Sequence, residues 1–266
     1  MPSASALRLQ IEHALEHRFP AALTPVQRTI RETAATGIAA VDDLLQGGLP
    51  VGAISEITGP VSSGRTSLAL AFLAARTQEE RVCAWVDAHD AFDSESAAAN
   101  GVALRQLLWV RCRRSQAGLP KPASTARTWA RPDFLHLDQA LRATDLLLQA
   151  GGFAAIVLDL ASTPAEYSAR IPMTTWFRFR QAADRTRCSL LVLGQEPMAQ
   201  SSAAVVLTCT RPESPPAFQT VFAGCTYEVR TGRVAAHPST PFLATQRKPP
   251  ASTWSANAAW QRETSA

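Results

Sequence analysis

Five short apolar runs without polar alternation constrain this chain most. They lie at 53–58, 82–86, 107–110, 155–158 and 190–193. Runs of this kind suit strands buried on both faces of a sheet. Segments of helical character at 66–76, 94–100, 137–149 and 174–185 fall between them. Strand and helix in alternation predict right-handed βαβ crossovers and an α/β fold with a mostly parallel central sheet flanked by helices. Two further apolar stretches, 205–208 and 218–229, are expected to close the sheet as antiparallel strands.

The composition allows such a core. Of 266 residues, 46% are hydrophobic and 18% charged. No apolar stretch approaches the roughly 20 residues that a bilayer requires, so no membrane association is expected. The N-terminal stretch has charges scattered through it and lacks the unbroken apolar segment of a signal peptide, which predicts a cytoplasmic protein. Cys83, Cys112, Cys188, Cys209 and Cys225 are widely spaced and form no CxxC pair. They read as small buried apolar residues in a reducing compartment.

Three regions follow from the texture of the chain. Residues 1–35 form an N-terminal arm, with an amphipathic helix expected over 5–18 from Leu7, Ile11, Ala14 and Leu15. Such a short helix needs a surface to cover its stripe, either this chain's own core or a partner. Residues 36–234 form the α/β core. Residues 235–266 are rich in Pro, Ser, Thr and Ala without periodicity and are expected to form a disordered tail.

The segment between the first run and the following helix carries the chemistry. Gly59, Pro60, Val61, Ser62, Ser63, Gly64, Arg65 and Thr66 fit the P-loop pattern G-x-x-x-x-G-K-[ST], with arginine in place of lysine. Glycines allow the tight turn that points backbone N–H groups at phosphate oxygens, and the helix N-terminus adds partial positive charge. These residues and Ser67 are the expected nucleotide-binding set. Thr66 offers a hydroxyl for Mg²⁺, and Asp159, ending the run Ala-Ile-Val-Leu-Asp, is the expected acid of the same metal site. Arginine keeps the lysine's charge but carries it on a wider planar fork, which suits phosphate attraction better than transition-state geometry.

A second candidate feature is electrostatic. The net charge is +4, and Arg111, Arg113, Arg114, Lys121, Arg127 and Arg131 follow one another with no acidic residue between them. This segment is expected to be a flexible basic loop suited to tracking phosphates of single-stranded DNA. Trp129 lies within it and offers a base-stacking surface.

Three stretches together resemble the RecA recombinase family. They are 36–60, with Thr36-Gly37-Ile38, Gly47-Gly48-Leu49-Pro50 and Glu56-Ile57-Thr58-Gly59-Pro60, then 62–68, then Trp85-Val86-Asp87-Ala88-His89-Asp90 continuing to Gly101-Val102. The resemblance implies a RecA-like core that binds ATP and Mg²⁺, with Asp159 as the metal-site aspartate and Gln195 as the nucleotide-sensing glutamine. It also marks departures. His89 stands where recombinases carry a catalytic glutamate, and Ser96 falls near the place of the adenine-stacking tyrosine. The long DNA-gripping loop expected after Gln195 is reduced to a few residues, 195–202, and the preceding loop to 162–172. A shortened chain of this type is similar to the ImuA group of SOS and translesion-synthesis accessory proteins. That likeness implies weak or absent ATP hydrolysis, partners such as a polymerase-like subunit or RecA, and direct contact with single-stranded DNA as a further option. An active ATP-dependent recombinase and another RecA-like regulatory ATPase are the alternatives.

Overall fold

The computed structural model describes residues 32–112, 132–211, 225–234 and 251–256, all within one compact unit. In chain order its elements are β1 (Thr33–Ala34), α1 (Ala39–Leu44), β2 (Leu49–Pro50), β3 (Ile54–Thr58), α2 (Arg65–Gln78), β4 (Cys83–Asp87), α3 (Ser94–Ala99) and β5 (Leu107–Arg111). They continue with α4 (Pro132–Ala150), β6 (Ala155–Asp159), α5 (Ala165–Ser168), α6 (Met173–Thr186), β7 (Ser189–Gly194), β8 (Ala203–Thr210), β9 (Cys225–Val234) and β10 (Ala251–Ala256). The eight-stranded sheet runs in the order β10-β9-β8-β3-β7-β6-β4-β5, and β1 and β2 pair separately.

Strand alternation sorts the side chains into two cores. Ile57, Trp85, Val157, Leu191 and Leu193 face one side and pack with Leu68, Phe72 and Leu73 of α2. Ile54, Val86, Ile156, Leu158, Leu190 and Val192 face the other, against Leu148 of α4 and Trp176 and Phe179 of α6. Burial on both faces explains why these strands read as unbroken apolar runs. In α6, Trp176, Phe179 and Ala183 recur at helical spacing and are buried, while Arg178 and Arg180 stay in solvent. Pro172 precedes this helix, and Arg187, with a left-handed φ of 55°, ends it. α3 begins at Asp93, whose carboxylate accepts from the backbone N–H of Glu95 and Ser96. Among the described residues, no helix is long and apolar enough to cross a membrane.

The structure corrects four expectations. β8 runs parallel to β3, and among the described strands of the large sheet the antiparallel pairs are β8 with β9 and β9 with β10. Composition marks an apolar strand but carries no sign of its direction. α4 starts at Pro132, inside the segment expected to be loop, because proline suits the first turn of a helix. Thr33 and Ala34, assigned to the N-terminal arm, pair with Pro50 and Leu49 and so join the core. Within the expected disordered tail, residues 251–256 form β10 along the edge of β9. The expected helix over 5–18 lies outside the described residues.

Candidate nucleotide site

Chain direction sets the position of this site. β3, β7, β6 and β4 are parallel, so their carboxyl ends lie along one edge of the sheet, where open α/β sheets bind ligands. The loop after β3 turns sharply at Gly59, whose φ is 152° and whose place would not admit a Cβ: it would meet the Cys209 carbonyl at 2.3 Å. Ser63 N–H donates to the Pro60 carbonyl at 3.2 Å, Ser62 adopts a left-handed φ of 62°, and Gly64 a φ of 89°. α2 then begins at Arg65 with no side-chain cap on its first amides. The Ser63 hydroxyl is buried without a hydrogen-bond partner. Pro60, Val61, Ser62 and Thr66 are exposed, and Ser67 is half-buried.

Arg65 turns inward. It is 7% exposed, and one guanidinium nitrogen donates to the Gly59 carbonyl and to the Gly194 carbonyl at 3.3 Å. The other donates to the Ala161 carbonyl at 3.2 Å. These oxygens follow β3, end β7 and follow β6, so one planar fork ties three strand ends together. Burial lowers the pKa of Arg65, and the nearby charge of Asp159 opposes that shift. Gln195, exposed, donates its amide to the same Ala161 carbonyl at 3.3 Å.

Asp159 ends β6, 8% exposed, and accepts the Ala161 N–H at 3.0 Å. Burial pushes its pKa up to about 6; the Ala161 N–H acts the other way, Asp87 adds to the rise and Arg65 opposes it. Asp87 sits beside Asp159 in the register of β4 and β6. Its carboxylate accepts from the N–H groups of His89, Ala91 and Phe92 and from the Trp109 indole, which shapes the turn after β4. His89 is half-buried beyond that turn, its ring edge-on to His136 of α4 with centroids 6.4 Å apart.

The chain after Gln195 is compact. Glu56, fully buried in β3, accepts from Met198 N–H at 2.6 Å and Ala199 N–H at 2.8 Å. A single 3₁₀ turn at Gln200–Ser202 then leads straight into β8. The segment after Asp159 forms α5, with Tyr167 buried. Arg111, placed by sequence in the flexible basic loop, instead ends β5. It forms a two-point ion pair with Asp90 at 2.7 and 2.8 Å and lies over the Trp109 ring at 4.5 Å. Arg113, Arg114, Lys121, Arg127 and Arg131 lie outside the described residues, as does Trp129.

Residues 59–67 thus converge with Asp159 and Gln195 at the strand ends, with Arg65 as the link. Four positions escape a reading of the sequence. An acid inside an apolar run is the available signal for Glu56, and a strand-end acid for Asp87. No local signal marks Tyr227 of β9, which lies on Gly64, or Trp254 of β10, which stacks on Tyr227.

Residues 6–119 match the family model of the RecA N-terminal domain. The fold is RecA-like. The match takes in the loop 59–66 and the turn after β4, and the parallel order around β3 continues the same architecture beyond it. Within this RecA-like core the four cysteines with described side chains, Cys83, Cys112, Cys188 and Cys209, are buried free thiols. Burial pushes Cys83 and Cys209 up to about 12, so neither is a reactive thiolate near neutral pH.

Proposed function

We propose that this chain is a RecA-like accessory protein of DNA repair, of the ImuA type, that acts in the cytoplasm through protein partners and turns over little ATP. The observation that carries the proposal is the Arg65 guanidinium bonded to the carbonyls of Gly59, Gly194 and Ala161. A P-loop lysine contributes through a free ammonium held near the phosphates. Here the corresponding charge is committed to the protein's own backbone, and catalysis of phosphoryl transfer rests on positioned charge.

The loop retains features that fit a phosphate group. Its Ser63 hydroxyl is buried and unpartnered, and the first amides of α2 carry no side-chain cap. Thr66 and Asp159 are the residues that would hold Mg²⁺, and ATP with Mg²⁺ would supply a transferable phosphoryl group when bound. In this reading the loop receives nucleotide weakly, and His89, packed on His136, does not orient a water as a carboxylate does. The compact turn pinned by Glu56 supports a core that does not wrap single-stranded DNA with a long loop. A polymerase-like subunit or RecA itself is the proposed class of partner in the SOS response and translesion synthesis, with the basic segment 113–131 as the part that meets DNA.

Calorimetric titration of the full chain with ATP, with and without Mg²⁺, tests the reading. Dissociation constants of about 100 μM or weaker, changed less than about tenfold by Mg²⁺, are expected. Submicromolar, Mg²⁺-dependent binding would overturn it.

A further inference from the structure

β10 is the outermost strand of the sheet, paired to β9 and flanked by α1. It is built of small residues around a single tryptophan. Ala251 and Thr253 are exposed, Ser252 is half-buried, and Trp254 is 9% exposed. Among the described side chains of β10, one aromatic ring therefore anchors the strand beyond its backbone hydrogen bonds. An edge strand with so little buried surface is drawn from the low-stability end of a fold.

The anchor leads directly to the phosphate loop. Trp254 stands opposite Tyr227 in the antiparallel register, with ring centroids 5.1 Å apart and planes tilted by 38°. The Tyr227 ring in turn lies on Gly64: a Cβ there would sit 2.6 Å from Cδ1 and 2.7 Å from Cγ. Gly64 is the residue before Arg65, and its carbonyl accepts the first helical bond of α2, from Leu68 N–H at 2.9 Å. Trp254, Tyr227 and Gly64 thus form a stack that runs from the sheet edge to the N-terminus of α2.

We propose that β10 is a strap that sets access to the phosphate loop. With Trp254 seated, Tyr227 is pressed onto Gly64, and the loop is held in the form in which Arg65 turns inward. With β10 detached, Tyr227 loses its outer support, Gly64 is uncovered, and the loop opens to anionic ligands. The proposal rests on the reading of this loop as a phosphate site.

Hydrogen exchange over residues 60–68 and binding of a fluorescent ATP analogue, both on the full chain, test it together. Trp254→Ala is expected to speed exchange at least tenfold across this segment and to tighten analogue binding several-fold, while Trp254→Phe stays near wild type. Faster exchange without analogue binding by either protein supports the strap and removes the nucleotide reading. Unchanged exchange over 60–68 in a Trp254→Ala protein whose β10 amides have become unprotected overturns the strap. If Trp254→Ala does not fold, Trp254→Leu, which keeps apolar bulk without the ring, takes its place with the same expected directions.

Discussion

Arg65 donates from its guanidinium to the Ala161 carbonyl at 3.2 Å, joining the loop after β3 to the chain just past β6. The same side chain reaches Gly59 and Gly194, so three strand ends share one cation. A lysine has a single ammonium and cannot span the same three oxygens. Arg65→Lys is therefore expected to lower stability by about 2 kcal/mol, since hydrogen bonds from charged donors contribute about 1.5–3 kcal/mol each and some are kept. Nucleotide affinity should rise, because the ammonium is released towards the loop. Full turnover should not return, since His89 is unchanged. Urea unfolding together with analogue titration checks both halves.

Glu56 ties the turn after β7 to β3. Glu56→Ala leaves the Met198 and Ala199 N–H groups buried without an acceptor. A loss of about 3 kcal/mol is expected, since each of the two buried donors left unsatisfied costs about 1–3 kcal/mol. Thermal unfolding measures this loss, and proteolysis near residues 195–202 should accelerate in the variant.

Asp159 makes stability depend on pH. Its pKa is about 6 in the fold, against 3.8 for an unperturbed aspartate. Between about pH 4 and pH 6 the folded chain holds a proton that the unfolded chain has released, so stability falls as pH rises through this window and levels above it. The direction is the reverse of that for a salt-bridged aspartate, because burial of the charged form dominates. Asp159→Asn, which stays neutral, should lack this fall. Urea midpoints of both proteins from pH 4 to pH 7 should diverge as pH rises; parallel curves would contradict the assignment.

The tight turn at 59–64 between β3 and α2 is legible in the chain because its glycines and its strand–loop–helix setting are local properties. So are the strands of the parallel sheet, whose burial on both faces writes an unbroken apolar run. What is not legible depends on long-range geometry. Arg65 can be read as a charge, but its turn towards Ala161 and Gly194 follows from how β6 and β7 flank β3. β8 shows its apolar character but not its direction. β10 lies in a segment rich in Ser, Thr, Pro and Ala, and its pairing depends on β9 and on Trp254 meeting Tyr227. Arg111 reads as one of six loop cations, yet Asp90 captures it at the end of β5.

The remaining basic residues carry a prediction about DNA. Neutralising Arg113, Arg114, Lys121 and Arg127 together should weaken single-stranded DNA binding. The slope of log affinity against log salt should fall by about 3, since each cation paired with a phosphate of a single strand adds roughly 0.7 to that slope. Anisotropy titrations at several salt concentrations measure it. Arg111, already paired with Asp90, should contribute less when replaced alone.

The central claim is that this RecA-like core carries a phosphate loop with little catalytic power. Steady-state ATP turnover by the full chain, with Mg²⁺ and saturating single-stranded DNA, tests it most directly. The account predicts a rate at least about a hundredfold below the roughly 10 s⁻¹ median of enzymes, with little stimulation by DNA. DNA-stimulated turnover near that median would contradict it and restore the reading of an active recombinase.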